Sequence, residues 1–131
     1  LPLEALKACW LIVVNEQEAS FLAGQVGGSA DAAGLAAKLG VGVLRTLGHA
    51  GSEASVDGVA HRVGAHQVKA IDTTAAGDCF VGVLAAALDR GLDLPAAMQR
   101  ASVAAALACT KRGSQGSLPE AAEIDAAMRG A

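Results

Sequence analysis

The run Trp10-Leu11-Ile12-Val13-Val14 constrains the fold of this chain more than any other stretch. It is apolar at every position and rich in β-branched residues, which is typical of a strand covered on both faces. Strands of that kind occur in parallel sheets, where helices lie against the sheet. The chain is therefore expected to place helices next to this strand.

Predicted helices and strands alternate along the rest of the chain. Helices are indicated by apolar residues at helical spacing and by glycine or proline at their ends, and strands by short β-branched runs. The predicted elements are a helix from Glu16 to Ala23 closed by Gly24, a helix from Ala30 to Leu39 with Asp31 in its first turn, a strand from Val41 to Leu47, a hairpin of residues 53–57 and 59–68 joined at Asp57-Gly58, and helices over about 76–90, 95–110 and 120–129. This order predicts an α/β fold with a mostly parallel sheet and one inserted β-hairpin.

Three polar or glycine-rich stretches follow predicted strands: Asn15, the loop Thr46–Gly51 and the turn Asp72–Asp78. Since ligands bind beyond the carboxyl ends of parallel strands, we expect the three stretches to share one rim of the sheet. The turn Asp72–Asp78 leads directly into a predicted helix, and the free N–H groups at the start of a helix suit an anion. Asp78 would repel that anion, unless it is a base that takes a proton from a hydroxyl attacking phosphate. The plainer alternative is an acid that only complements the helix dipole.

Composition excludes several classes of protein. The 131 residues allow one domain at most, and a hydrophobic share of 53% with 18% charged residues predicts a folded chain. A net charge of -3 leaves no basic footprint for nucleic acid, and no apolar run reaches the roughly 18 residues that a membrane span needs. Cys9, Cys79 and Cys109 are far apart and fit no zinc spacing, and no secretory signal is seen. A cytoplasmic setting is expected.

Four motifs, in order along the chain, resemble those of the ribokinase (PfkB-type) family of sugar kinases. Asp72–Asp78 is similar to the family signature Asp-Thr-x-Gly/Ala-Ala-Gly-Asp. Asn15–Glu18 resembles the Asn-x-x-Glu motif, Thr46–Gly51 the nucleotide-binding Thr-Leu-Gly-x-x-Gly loop, and Thr110–Pro119 the tail segment. The resemblance implies a three-layer α/β/α fold of the ribokinase type. It covers only the C-terminal part of the family's length, so residues 1–131 would be a nucleotide-binding and catalytic part without the N-terminal sugar-binding half and lid.

The resemblance also implies a role for individual residues. Asp78 would be the general base on the substrate hydroxyl, and the amides of Ala75, Ala76 and Gly77 would form the anion hole. Glu18 would place Mg²⁺ through water. The residues implied in nucleotide binding are Asn15, Thr46, Leu47, Gly48, His49, Ala50, Gly51, Gly77, Asp78 and Ser102. Those implied in a K⁺ site, mostly through backbone oxygens, are Asp72, Thr74, Ala108, Lys111, Gly113 and Ser117.

Several of these roles have plainer alternatives. Asn15 and Glu18 have the spacing of a helix capping box. Residues 75–78 would also suit an ordinary tight turn between strand and helix, and His49 a solvated loop position. Gly113 would suit an ordinary helix C-terminus without a cation. Cys79 is expected to pack behind the turn rather than react.

By resemblance, the complete enzyme would phosphorylate D-ribose to D-ribose 5-phosphate with ATP. Another sugar or nucleoside kinase of the family, such as a fructokinase, stays open because sugar choice lies mostly in the half that this chain lacks. A non-catalytic nucleotide-binding fragment that needs a partner chain is the alternative from a different class. The isolated chain is expected to be inactive and to need the N-terminal half, and full-length members of the family are often homodimers.

Overall fold

The computed structural model describes residues 10–65, 76–109 and 121–129. These residues fall into two compact units, which divide between Arg62 and Val63. The elements in chain order are β1 (Leu11–Asn15), α1 (Glu16–Val26), α2 (Ala32–Leu39), β2 (Gly42–Thr46), a 3₁₀ turn (Gly48–Ala50), β3 (Ser52–Val56), β4 (Val59–Val63), α3 (Ala76–Asp89), α4 (Leu94–Cys109) and α5 (Ala121–Arg129). The α/β class predicted from the sequence is confirmed.

The strands form one sheet in the order β1-β2-β3-β4. β1 and β2 run parallel, with Asn15 opposite Thr46, and β2 and β3 run antiparallel. β3 and β4 are joined by Asp57 and Gly58, whose φ angles are 51° and 78°. Two positive φ angles in a two-residue turn match the right-handed twist of the flanking strands, which is why the Asp-Gly pair predicts a hairpin. The predicted hairpin is confirmed.

A hydrophobic core of the first unit lies on one face of β1 and β2. Ile12 and Val14 of β1 point to this face, as does Val43 of β2, and the helices contribute mostly alanine and leucine. The helical residues of this core are Ala19, Ala23, Ala32, Leu35 and Leu39. Leu11 and Val13, which point to the other face of β1, are half-buried. Full burial is therefore confirmed for one face of this strand only.

Two helix boundaries differ from the sequence prediction. α1 continues through Gly24 to Val26 and is closed by Gly27, whose φ of 76° is the left-handed conformation of a helix end. The extension allows Val26 to pack against the core of the first unit. α2 begins at Ala32 because Asp31 precedes the helix as its N-cap instead of lying in the first turn.

Strand boundaries also differ from the prediction. β2 loses one residue at each end of the predicted range. In the hairpin, β3 (Ser52–Val56) keeps the predicted length but is shifted by one residue towards the N-terminus, and β4 (Val59–Val63) is shorter than predicted. Gly64 and Ala65 are not part of a strand, and residues 66–68 lie outside the described residues.

The N-terminus of α2 is held by two carboxylates. Asp31 Oδ1 accepts the Gly34 N–H at 2.7 Å and the Ser29 hydroxyl at 2.9 Å, and these two donors lower the pKa of Asp31 below its ordinary value. Glu53 of β3 accepts the Ala32 N–H at 2.8 Å. Glu53 thereby connects the sheet to the helix.

Glu53 also pairs with two arginines. Its Oε2 lies 3.3 Å from Arg45 Nε, which is an ion-pair distance without hydrogen-bond alignment, and its Oε1 lies 3.7 Å from Arg62 Nη1. The side chains of Glu53 and Arg45 are each 19% exposed, whereas that of Arg62 is 62% exposed. Poor access to water makes the pair with Arg45 the more important of the two.

We expect Glu53→Ala to lower the free energy of unfolding by about 1.5–3 kcal/mol, the usual range for a hydrogen bond to a charged group. The substitution leaves the Ala32 N–H and the Arg45 guanidinium without this partner. Arg62→Ala is the control, and it should change stability by less than about 0.5 kcal/mol because its guanidinium is mostly solvated. Urea unfolding followed by circular dichroism measures both. Equal effects of the two variants would show that Glu53 does not anchor α2.

The second unit consists mainly of helices. α3 packs along α4, and α5 packs on α4. Phe80, Leu84 and Ala87 of α3 are buried, while Val83 and Leu88 are half-buried. The apolar stripe predicted on this helix is therefore confirmed, and Cys79 is buried as predicted, at 4% exposure. Across the described helices, none combines the length and the apolar character that a membrane span requires.

An ion pair joins α5 to α4. Arg100 Nη1 lies 2.5 Å from Asp125 Oδ1, and it also lies 3.8 Å from Met128 Sδ. The hydrogen bond from Arg100 is the main cause that lowers the pKa of Asp125. The Arg100 side chain is 10% exposed, so the guanidinium is held largely within protein. Neither partner is evident from sequence, because 25 residues separate them.

Candidate functional site

Asn15 and Thr46 meet at the carboxyl ends of β1 and β2. They are Cα partners in the parallel ladder, and the Thr46 hydroxyl lies 3.5 Å from the Val14 carbonyl oxygen, to which it donates. Two of the three stretches expected on one rim are therefore adjacent. The third, Asp72–Asp78, begins outside the described residues, and its described part belongs to the other unit. The common rim of all three stays a prediction.

Asn15 and Glu18 form a capping box at the start of α1. Asn15 Oδ1 accepts the Glu18 N–H at 2.8 Å, and Glu18 Oε1 accepts the Asn15 N–H at 2.9 Å. The capping role that the sequence allows is confirmed. The cap uses Asn15 Oδ1 and Glu18 Oε1, so it leaves the Asn15 Nδ2 group and the Glu18 Oε2 atom for other contacts. Both residues are exposed to solvent.

The loop after β2 is closed by its own backbone. Leu47 N–H donates to the Gly51 carbonyl at 2.8 Å, Ala50 N–H to Leu47 at 3.1 Å, and Gly51 N–H to Gly48 at 3.1 Å. Gly48 and Gly51 have φ angles of 58° and 96°, a conformation that glycine adopts without strain. The predicted loop thus contains one 3₁₀ turn and needs its two glycines. The side chain of His49 lies outside what the structure describes.

Ser52 was not among the residues singled out from the sequence. It follows Gly51 directly, begins β3 and is 0% exposed, and its Oγ has no hydrogen-bond partner in the part of the chain that the structure describes. Glu53, next to it, was also missed. A hydroxyl residue at the first position of a strand after a glycine loop is a weak signal, because serine is common in turns.

Asp78 lies in the first turn of α3. Gly77 and Asp78 are exposed, whereas Cys79 and Phe80, the next residues, are buried. Asp78 therefore lies on the exposed side of the first turn, at the positive end of a helix of 14 residues. Of the predicted anion hole, Ala76 and Gly77 belong to this helix and Ala75 lies outside the described residues.

The predicted site residues on α4 are both buried. Ser102 is 6% exposed, and its Oγ has no hydrogen-bond partner among the residues described. Ala108 is 1% exposed, lies in the last turn of α4 as far as it is described, and packs with Ile124 of α5. The remaining residues of the predicted K⁺ site, namely Asp72, Thr74, Lys111, Gly113 and Ser117, lie outside the described residues.

A cavity of about 580 Å³ lies in the first unit, away from Asn15 and Thr46. It borders Gly42, at the opposite end of β2, together with Trp10, residues of α2 and the Asp57-Gly58 turn. None of the predicted site residues lines it, so it does not define the candidate site.

The chain matches known proteins over most of its length. The model of the pfkB family carbohydrate kinases matches residues 2–121. Ribokinase of Staphylococcus aureus (strain COL) is 35% identical over an alignment of 131 residues, which covers 95% of this chain and 43% of that protein. The chain therefore spans less than half the length of this relative.

Solved structures show the same fold. Ribokinase from Thermotoga maritima superimposes with a TM-score of 0.90 at 30% identity, over 98% of this chain and 45% of that one. The nucleoside kinase of Burkholderia thailandensis, solved in complex with inosine, superimposes with a TM-score of 0.85 at 29% identity, over 98% and 42% of the two chains. The ribokinase-type fold predicted from the motifs is confirmed, and with the family match it establishes the relationship. The chain belongs to the pfkB family of carbohydrate kinases.

Proposed function

We propose that the chain is the C-terminal, nucleotide-binding and catalytic part of a kinase that transfers the γ-phosphoryl group of ATP to a sugar hydroxyl. D-ribose is the proposed acceptor and D-ribose 5-phosphate the product in the complete enzyme. The observation that carries the proposal is the exposed Asp78 carboxylate in the first turn of α3. The identity of 35% to a ribokinase supports this choice of acceptor.

In this proposal Asp78 takes the proton of the attacking hydroxyl. Its first-turn position keeps the carboxylate in solvent reach and next to the unpaired N–H groups of α3. The amides of Ala75, Ala76 and Gly77 are the proposed anion hole. They would stabilise the charge that develops on the transferred phosphoryl group. One helix start would thus serve both the base and the phosphoryl group.

Asn15 and Glu18 are the proposed contacts to the nucleotide phosphates and Mg²⁺. The capping box leaves the Asn15 Nδ2 group as a donor for phosphate oxygen and the Glu18 Oε2 atom as an acceptor for a metal-bound water. An exposed carboxylate oxygen that the cap does not use fits a hydrated Mg²⁺. Bound Mg²⁺ would neutralise phosphate charge.

The Thr46–Gly51 loop is the proposed nucleotide site, together with Gly77, Asp78 and Ser102. Its glycines allow backbone to approach a ligand closely.

For K⁺ we propose backbone oxygens at the end of α4, where Ala108 lies, with Asp72, Thr74, Lys111, Gly113 and Ser117. Carbonyl oxygens at a helix C-terminus are unpaired and suit a large monovalent cation.

Two other functions have some support. The likeness to the Burkholderia thailandensis nucleoside kinase, whose structure holds inosine, favours a nucleoside as the acceptor. The span of 43% of the Staphylococcus aureus ribokinase favours a part that binds nucleotide and needs a second chain for activity.

The proposal is tested with the protein at its natural full length, ATP, Mg²⁺ and three acceptors: D-ribose, D-fructose and inosine. We expect kcat/KM to be highest for D-ribose, because a site that pairs with each hydroxyl of its substrate rejects analogues that leave these groups unpaired. Phosphate on the 5-hydroxyl, located by ³¹P NMR, would complete the assignment. A preference for inosine or D-fructose would support another kinase of the family, and nucleotide binding without transfer would support the non-catalytic alternative.

A further inference from the structure

Ser52 buries a hydroxyl group without a partner. It is 0% exposed, and no described residue of the chain forms a hydrogen bond with its Oγ. Nearly all buried polar groups in proteins are hydrogen-bonded, because a buried group that loses its water and gains no partner destabilises the fold. Alanine would avoid this cost at the same position. The buried hydroxyl therefore calls for a partner that the described residues do not supply.

Thr46 is the cross-strand neighbour of Ser52. The two residues are Cα partners in the antiparallel ladder of β2 and β3, so their side chains share one face of the sheet. The Cβ atoms of such partners lie about 4.5–5.5 Å apart, and threonine–serine pairs in this arrangement commonly form hydrogen bonds. At this separation the two hydroxyls can form a hydrogen bond when both point towards each other.

Thr46 itself is weakly bonded. Its Oγ1 lies 3.5 Å from the Val14 carbonyl oxygen, whereas O–H···O bonds are usually about 2.7–2.8 Å long. The Thr46 hydroxyl can therefore exchange this long hydrogen bond for one to a better-placed acceptor. Thr46 also opens the loop that ends at Gly51, directly before Ser52. The two hydroxyls thus lie at the two ends of the proposed nucleotide loop.

We propose that Ser52 is a positioning residue for the nucleotide, an inference that rests on the proposed role of the Thr46–Gly51 loop. When a nucleotide oxygen accepts the Thr46 hydrogen, the Thr46 oxygen accepts the hydrogen of Ser52. Ser52 then has the partner that the described residues do not supply. Because this bond exists only in the bound state, it strengthens binding and not folding, and a chain of two hydrogen bonds strengthens each link.

Isothermal titration of ADP and ATP into the full-length protein tests the inference. Ser52→Ala should weaken binding about five- to tenfold, the loss expected for one net hydrogen bond. The thermal midpoint of the ligand-free protein should stay the same or rise. In a Thr46→Val background, Ser52→Ala should have no further effect on binding, because the link between Ser52 and the ligand is already absent.

Ser55→Ala is the matched control. Ser55 lies in the same strand and is 7% exposed, but its cross-strand partner is Val43 and not Thr46. Its substitution should leave nucleotide affinity unchanged. If Ser52→Ala does not fold, Ser52→Cys supplies the same comparison with a side chain of similar size and a weaker donor.

The outcomes separate this inference from the proposed function. Unchanged affinity in Ser52→Ala, an equal loss in both Thr46 backgrounds, or a fall in ligand-free stability that accompanies the loss of affinity would each overturn the role of Ser52. If the unmodified protein binds neither ADP nor ATP, the proposed function is overturned, and the inference with it.

Discussion

Asp78→Asn is expected to lower kcat of the full-length kinase by about 10²–10⁴-fold, the usual contribution of a positioned general base. Asparagine has nearly the same shape but cannot accept the proton of the attacking hydroxyl. Asp78 is exposed in the first turn of α3, so the lost interaction with the helix dipole should cost only about 0.3–1 kcal/mol of stability. Steady-state kinetics with D-ribose and ATP measure kcat. ADP lacks the γ-phosphoryl group beside which Asp78 is proposed to lie, so titration of ADP should show an affinity within about twofold of the unmodified protein.

Asp89→Asn is the control for this prediction. Asp89 is an exposed acid at the opposite end of the same helix, so the change of charge and helix propensity is matched. Its kcat should not change. Full turnover by Asp78→Asn would remove Asp78 from the mechanism, and equal losses in both variants would point to the stability of α3 as the cause.

Asn15→Asp should separate the capping role of this residue from its proposed role in nucleotide binding. Aspartate caps a helix as well as asparagine does, so the free energy of unfolding should stay within about 0.5 kcal/mol. Nucleotide affinity should nevertheless fall more than about tenfold, because the variant loses the Nδ2 donor and brings a carboxylate towards phosphate. Urea unfolding and titration of ATP with Mg²⁺ measure the two quantities.

Two further variants complete that comparison. Asn15→Ala should lose nucleotide affinity and also about 0.5–2 kcal/mol of stability, since it removes the cap. Asp31→Asn makes the opposite exchange at the N-cap of α2, where no nucleotide contact is proposed, and it should leave affinity unchanged. Unaltered affinity in Asn15→Asp would reduce Asn15 to a capping residue.

The type and order of the elements could be predicted because they depend on local patterns. The apolar run of β1, the stripe of α3 and the Asp57-Gly58 turn each carry their signal within a few residues. The same holds for the capping box of Asn15 and Glu18, which spans a single helical turn. These features did not need the rest of the fold.

The end of α1 could not be predicted in this way. Gly24 and Gly27 are equally good stops by residue type, and a glycine inside an exposed helix costs only about 1 kcal/mol. Packing of Val26 against the core favours the longer helix. A tertiary contact therefore decided between two stops that are locally equivalent.

For the candidate site, the sequence by itself determined the motifs, the family and the residue types that suit phosphoryl transfer. Only the tertiary structure showed that Asn15 and Thr46 are partners across two parallel strands and that Thr46 lies beside an unpaired Ser52 hydroxyl. It also showed that Glu53 reaches the first N–H of α2 from a strand 21 residues away. The reason is physical: hydrogen bonds and burial depend on which strands become neighbours, and that pairing is set by the packing of the whole sheet rather than by any local spacing.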